Sequence, residues 1–125
     1  MKDNKLIAEF MDYPTCSDYW KKDEGFQGED YKDYYYVHDQ YDQCYDSSNF
    51  HVNDMKFDLS WDWIMPVIDK MESMGCFVKH HHGDCIVYKI DEKENYRCII
   101  EMMGLNKLES TYKAVVEFIK NHETL

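Results

Sequence analysis

Apolar residues recur at helical spacing in three stretches of the chain, and the first lies close to the N-terminus. Asn4 is available there as an N-cap, and Pro14 provides a stop. This pattern predicts a short amphipathic helix over residues 4–11. Its apolar positions are Leu6, Ile7, Phe10 and Met11.

The second stretch, FDLSWDWIMPVIDKMESMG at residues 57–75, is the clearest helical pattern in the chain. Asp58 or Ser60 can cap its start, and Gly75 suits the position just after its last turn. Pro66 fits where a helix has only just begun, and would otherwise kink it. The apolar stripe contains Trp61, Ile64, Met65, Ile68 and Met71, and we expect all of these except Met65 to be buried against a sheet and the C-terminal helix.

Three short β-like runs follow this helix, at residues 76–80, 85–90 and 96–102. Turn-forming residues separate them at positions 82–84 and 91–95. Because connections of four and five residues cannot make a parallel crossover, the runs favour an antiparallel meander.

The third helical stretch opens at Asn106 and Glu109, which form a start that resembles a capping box, and it runs to about His122. We therefore predict an α+β fold with two layers, in which helices pack on one face of a small antiparallel sheet of about three strands. The expected organisation is one domain over residues 1–125, with an insert at 12–54 and a core at 57–125. The apolar side of the last helix is Leu108, Tyr112, Val115, Val116 and Ile119.

The insert differs from the rest of the chain in composition. Residues 12–54 contain eleven acidic side chains and three lysines, a net charge of −8 out of −11 for the whole chain. Eight of the eleven tyrosines also lie there. Residues 34–37 are the one run in the insert that resembles a strand, and turn-forming residues such as Gly25, Gly28 and the cluster at 47–49 surround it.

The charge excludes some classes of ligand. With Arg97 as its only arginine, a net charge of −11 and a pI near 4.8, the chain is poorly suited to bind nucleic acid directly, because phosphate contacts need Lys and Arg. A protein with a basic surface is the better partner. No run is apolar enough to span a membrane, and Glu9 interrupts the place where a signal peptide would need its apolar run. We expect a cytoplasmic protein without a membrane partner.

The five cysteines are an odd number without a C-x-x-C pair. Three of them, Cys76, Cys85 and Cys98, lie in apolar runs. Their setting predicts buried free thiols rather than disulfides or ligands.

Three motifs, NKLIAEFM, SWDWIMPVIDKMES and AVVEFIK, resemble a group of small, mostly uncharacterised proteins of bacteriophages, prophages and other mobile elements. The resemblance covers the first dozen residues and roughly residues 61–120. It assigns no catalytic residue, and it implies an inhibitor of a host defence protein, such as one of the anti-CRISPR type. The long acidic insert departs from the pattern of the group, in which it is shorter.

Two motifs suggest alternative chemistry. In CFVKHHHGDC (residues 76–85), His80, His82 and Asp84 are candidate metal ligands, and a polar hairpin tip is the competing interpretation. Asp58 and Asp62 next to tryptophans are candidate catalytic acids, although a helix dipole explains Asp62 as well. Cys44 lacks the rigid context of a nucleophile, and its acidic neighbours would raise its pKa.

The stretch YKDYYYVHDQYDQCYDSSNF (residues 31–50) remains the most unusual feature. Tyrosine is enriched at protein interfaces, and interleaved aspartates attract Lys and Arg of a partner. The sequence therefore predicts a non-enzymatic protein without a cofactor that inhibits a nucleic-acid-binding host protein. One alternative is a metal protein or small hydrolase centred on the His80–Asp84 hairpin. The other is an assembly module with an apolar interface. The expected partner-binding residues are Asp33, Tyr34, Tyr36, Asp39, Tyr41, Asp42, Tyr45 and Asp46.

Overall fold

The structure is a computed structural model that describes residues 3–14, 34–36 and 49–122, with only the backbone of Tyr36 and Asn49. The described residues contain three α-helices and two small antiparallel sheets, which confirms the predicted α+β class. The chain divides into two compact units, Met1–Met55 and Lys56–Leu125.

The first unit contains helix α1 (Asn4–Phe10), strands β1 (Tyr34–Tyr36) and β2 (Asn49–His51), and a 3₁₀ helix (Val52–Asp54). β1 and β2 pair antiparallel. The strand-like run at 34–37 is confirmed as a strand over its first three residues, whereas β2 was not predicted, because its sequence NFH follows the turn-forming residues Ser47 and Ser48.

Asn4 has a different role from the predicted N-cap. The N-cap of α1 is Asp3, which makes no side-chain capping hydrogen bond. Asn4 is instead fully buried, and its Nδ2 donates hydrogen bonds to the backbone carbonyls of Val52 at 2.8 Å and Met55 at 3.0 Å. A buried amide needs partners, so Asn4 joins α1 to the segment that follows β2.

The second unit contains helix α2 (Trp61–Ser73), a three-stranded sheet and helix α3 (Lys107–Asn121). The strands follow the order β3-β4-β5, all antiparallel, and confirm the predicted meander to within one residue at every strand end. α2 packs on β3 and α3 packs on β4 and β5, so both helices cover one face of the sheet. The strands are β3 (Cys76–His81), β4 (Asp84–Ile90) and β5 (Tyr96–Met102).

The buried side of α2 differs from the predicted one at two positions. Trp61, which was expected to be buried, is 38% exposed, and Val67, which was not in the stripe, is fully buried. Met65, which was not expected to be buried, is 44% exposed. A helix turns about 100° per residue, so Val67 lies close to the direction of Ile64 and Met71, while Trp61 and Met65 lie at one margin. The buried residues of α2 are Ile64, Val67, Ile68 and Met71.

The predicted start of α3 is confirmed. Asn106 is the N-cap, and its Oδ1 accepts a hydrogen bond from the backbone N–H of Glu109 at 2.9 Å. Gly104 lies just upstream, where a Cβ atom would come within 2.6 Å of the backbone nitrogen of Ser110, so the approach of the loop to α3 requires glycine. Of the predicted apolar side, Tyr112, Val115, Val116 and Ile119 are buried and Leu108 is half-buried.

A bulge in the sheet determines where Cys98 lies. Val87 pairs with Ile100, but Tyr88 pairs with Cys98, so Ile99 is an extra residue in β5. Strict alternation would place Cys98 on the same face as the buried Ile100. The bulge turns it to the other face, where it is exposed. The prediction of buried free thiols is thus confirmed for Cys76 and Cys85 and wrong for Cys98.

Replacing Ile68, which is 4% exposed, with Ala should lower the free energy of unfolding by about 2–5 kcal/mol, because it leaves a cavity in the core. Met65→Ala on the same helix is the matched control, and it should cost well under half as much because Met65 is partly in water already. Chemical denaturation of both variants measures the difference. Equal losses would contradict the assigned helix register.

Candidate protein-binding interface

The pairing of β1 with β2 brings together the two ends of the acidic, tyrosine-rich stretch. Tyr34 is opposite His51, Tyr35 is opposite Phe50, and Tyr36 is opposite Asn49. The residues between the two strands, 37–48, lie outside the described part of the chain. Their sequence contains Asp39, Asp42 and Asp46 and no Lys or Arg.

The tyrosines of β1 differ in environment. Tyr35 is 3% exposed and is therefore buried. Its neighbour Tyr34 is half-buried, and its ring meets the His51 ring edge to face, with centroids 5.1 Å apart. Because successive side chains of a strand point to opposite faces, burial of Tyr35 directs Tyr34 away from the interior. Part of the tyrosine content is therefore structural.

His51 connects the strand pair to the next element. Its Nδ1 accepts a hydrogen bond from the backbone N–H of Asn53 at 3.0 Å, which caps the 3₁₀ helix. In the neutral ring the proton is then on Nε2. Since Asn4 bonds the carbonyls of Val52 and Met55 in the same segment, a continuous chain of contacts runs from α1 to the strand pair.

Tyr34 is the only predicted partner-binding residue whose side chain the structure describes. Tyr36 is described in its backbone alone, as the last residue of β1. The other predicted residues lie outside the described part of the chain: Asp33, Asp39, Tyr41, Asp42, Tyr45 and Asp46.

The histidine-rich window forms the predicted hairpin tip. His82 and Gly83 connect β3 to β4, and both have positive φ, 51° and 89°, as in a type I′ turn. The rings of His81 and His82 lie 4.2 Å apart and are exposed. The hydroxyl of Ser110 donates a hydrogen bond to the carbonyl of Gly83 at 2.6 Å, which attaches the tip to α3.

His80 points away from the turn, toward the helices. Its Nε2 lies 2.6 Å from Oγ1 of Thr111, whose hydroxyl is 2.6 Å from the carbonyl of Lys107. The hydroxyl proton serves that carbonyl, so Nε2 of His80 is the donor to Thr111. The His80 ring also packs edge to face on Trp61, at 5.8 Å between centroids. Burial, and then the positive charge of Lys107, lower the pKa of His80 below its usual 6.5.

These contacts bear on the alternative of a metal site. The predicted ligands His80 and His82 are separated, because His80 is bonded to Thr111 while His82 occupies the turn. Within residues 3–14, 34–36 and 49–122, no three His, Cys, Asp or Glu side chains are grouped in a way that could hold a metal ion.

The predicted acid pair, Asp58 and Asp62, does not form a catalytic arrangement among the described residues. α2 begins at Trp61, so Asp58 precedes the helix, and Asp62 is exposed in its first turn, where the helix dipole favours a negative charge. Asp58 is half-buried, and its Oδ1 has no hydrogen-bond partner among the described residues. Trp63 packs edge to face on Phe57, with ring centroids 5.2 Å apart.

The buried thiols have the wrong ionisation for nucleophiles. Burial raises the pKa of Cys85 to about 11, and burial raises the pKa of Cys76 despite the opposing charge of Lys89. Both are therefore neutral thiols at pH 7. Cys44, the one cysteine weighed as a nucleophile from the sequence, lies outside the described residues.

Comparison with known proteins finds no match: no family model, no curated protein and no solved structure is similar to this chain. In the part of the chain that the structure describes, no helix has the length and apolar character needed to cross a membrane.

Replacing His80 with Ala should lower the free energy of unfolding at pH 7.5 by about 1–3 kcal/mol, because the bond to Thr111 and the packing on Trp61 are lost. His81→Ala, at an exposed position beside it, is the control and should have little effect. Denaturation curves measure both.

The same His80 contacts predict a pH dependence. Because the pKa of His80 is lower in the folded than in the unfolded state, the unfolded state takes up a proton first as the pH falls. The contribution of His80 to stability should therefore be complete above about pH 6.5 and decline below it. The difference between the parent protein and His80→Ala should shrink between pH 7.5 and 5.5. A constant difference would contradict the assigned environment.

Proposed function

We propose that the protein is a non-enzymatic inhibitor from a phage or other mobile element, which acts in the cytoplasm on a nucleic-acid-binding host protein. A defence nuclease such as a CRISPR effector is the candidate target. The binding surface is the acidic, tyrosine-rich segment, residues 12–54, and its central part is the stretch 31–50. The proposed mechanism requires neither a cofactor nor direct contact between this protein and nucleic acid.

The observation that supports the proposal is the pairing of β1 with β2. A stretch that is held at both ends loses less conformational entropy on binding than a free linker does. In this pairing Tyr35 is buried, whereas Tyr34 is half-buried with its ring against that of His51. The described part of the segment thus provides a structural base, and we propose that residues 37–48 between the two strands serve binding.

Charge supports a basic partner. The segment carries a net −8, and residues 37–48 contain aspartates without any neutralising Lys or Arg. Proteins that bind nucleic acid present Lys and Arg along the channel that holds the phosphates. Carboxylates would steer the encounter with such a channel, and tyrosine rings would then anchor the complex. Occupation of the channel would exclude the nucleic acid and so inhibit the target.

The first test reverses the charge of Asp33, Asp39, Asp42 and Asp46 to Lys. Inhibition should fall sharply, mainly through slower association at low salt, because the steering charges are gone. The melting temperature should stay the same or rise, since repulsion within the segment is relieved. The measurement is plaque formation by a targeted phage on cells that express the protein and an active CRISPR system, repeated over the main effector types.

A matched control distinguishes the effect of charges in the segment from the effect of the net charge of the whole protein. Exposed acids outside residues 12–54, namely Glu9, Asp69, Glu72 and Glu92, are reversed to Lys with the same change in net charge. This control should inhibit like the parent protein. If both variants lose inhibition equally, the effect comes from net charge and not from the segment. If the parent protein inhibits no effector type, the CRISPR target is refuted.

Changing Tyr34, Tyr36 and Tyr41 to Ser tests the anchoring role. Here the loss should appear mainly as faster dissociation, because anchors act after encounter. Tyr35→Ser is the contrasting variant, and it should instead destabilise the fold, since Tyr35 is buried. If the triple variant unfolds as Tyr35→Ser does, those rings belong to the core and the proposal loses its anchors.

Exposed apolar residues on and near α2 favour a second candidate, an assembly module that binds through an apolar surface. Leu59 is 71% exposed, and Trp61 and Met65 are also partly exposed. Binding through such a surface would be indifferent to salt, whereas binding through the acidic segment weakens as salt rises.

A further inference from the structure

The sheet of the second unit has a face on which neither α2 nor α3 packs, and we call it the open face. The helices cover the side of Cys85, Val87 and Ile100, which are buried. Since side chains alternate along a strand, the intervening residues point to the opposite side. The open face consists of Phe77, Lys79, Ile86, Tyr88, Ile90, Tyr96, Cys98 and Glu101, with His81 and Asp84 at its hairpin end.

The open face is apolar at its centre and partly exposed. Tyr96 and Phe77 are 69% and 37% exposed, and Cys98 is exposed. Ile86 and Tyr88 on the central strand β4 are half-buried. The Tyr88 and Tyr96 rings meet edge to face at 6.4 Å, so they form one aromatic surface. The largest exposed apolar patch of a protein is often an interaction site.

Two opposite charges flank the centre of the open face. Lys79 on β3 and Glu101 on β5 both pair with Ile86, so the three residues form one row across the sheet. Both charged side chains are exposed, and neither has an ion-pair or hydrogen-bond partner among the described residues. With strands about 4.8 Å apart, their backbones lie about 10 Å from one another, on either side of β4.

We propose that the open face is the interface of a homodimer, in which two copies stack face to face about a two-fold axis that runs along β4. The axis exchanges the two edge strands. Lys79 of each copy then faces Glu101 of the other, and the two ion pairs flank a centre made by Ile86 and Tyr88 of both copies. Strand directions remain aligned, as is usual when two sheets pack.

Charge complementarity selects a second copy as the occupant. A two-fold interface requires a surface that is complementary to itself. Lys79 and Glu101 satisfy this condition because they occupy equivalent positions on either side of β4 with opposite sign. The bulge contributes as well, since it brings Cys98 to the open face, where it lies opposite Phe77 of the second copy.

The size of the open face predicts a weak dimer. Three strands of about seven residues give a footprint of roughly 300 Å² per copy. Stable interfaces bury about 800 Å² of accessible surface per partner. Because the open face is smaller than this, we expect a weak dimer, with a dissociation constant of about 10–100 µM. The net charge of −11 on each copy adds repulsion, which about 0.15 M salt screens beyond about 8 Å. This inference does not rest on the proposed function.

The test is sedimentation equilibrium of the full chain in 0.15 M salt, from about 1 µM to 1 mM. The parent protein should pass from monomer to dimer over this range. Lys79→Glu and Glu101→Lys should each raise the dissociation constant about tenfold, because the two-fold axis places each new like-charge pair in the interface twice. The double variant, K79E with E101K, should restore the parent value.

Lys93→Glu, an exposed change of the same size on the turn outside the open face, is the control and should leave dimerisation close to the parent value. A parent protein that stays monomeric at 1 mM overturns the proposal. So does a dimer that the charge swap fails to restore, since the copies would then meet in another arrangement.

A second readout does not depend on charge variants. Alkylation of Cys98 by iodoacetamide, followed at the peptide level, should slow in proportion to the dimer fraction as the protein concentration rises. Cys98 is exposed in the single chain, so its rate in the monomer is the reference. A rate that does not change while the protein dimerises would overturn the assignment of the interface to the open face.

Discussion

Backbone pairing between Tyr34–Tyr36 and Asn49–His51 holds the acidic, tyrosine-rich stretch together near its two ends. Three residue pairs are a short ladder, and a two-stranded sheet of that size is marginal alone. Its support comes from burial of Tyr35, from the His51 cap on the 3₁₀ helix, and from the amide of Asn4. Residues 34–36 and 49–54 are thereby joined to α1 through uncharged groups, and the use of the acidic residues of the segment by a partner stays a proposal.

The second unit depends on the alternation of side chains in a three-stranded sheet. Both helices lie on one face, where α2 and α3 bury most of their apolar side chains. The other face keeps aromatic and aliphatic residues at partial exposure, and the bulge after Val87 adds Cys98 to it. Because α3 covers one side of the sheet, Ser110 and Thr111 of this helix bond the β3–β4 hairpin. The opposite side keeps an apolar surface on which neither α2 nor α3 packs.

Local patterns predicted most of the fold. Periodicity and turn residues located α2, α3 and the meander, because caps such as Asn106 and turns such as His82–Gly83 are determined by neighbours in sequence. Non-local contacts account for the errors. Nothing near Asn4 indicates that it bonds carbonyls beyond residue 50, the strand β2 exists only through its partner, and the bulge that exposes Cys98 arises from pairing with β4. The role of the aspartates at 33, 39, 42 and 46 stays a prediction.

Replacing residues 37–48 with a Gly/Ser linker of equal length tests most directly whether the stretch serves binding and not folding. Equal length keeps the loop-closure entropy between β1 and β2 nearly constant. The cooperative unfolding transition should then remain within about 3 °C of the parent, because the contacts at Asn4, Tyr35 and His51 are retained. Inhibition of the host nuclease should disappear. Loss of the cooperative transition, or inhibition at the parent level, would contradict the assignment of this stretch as a binding surface.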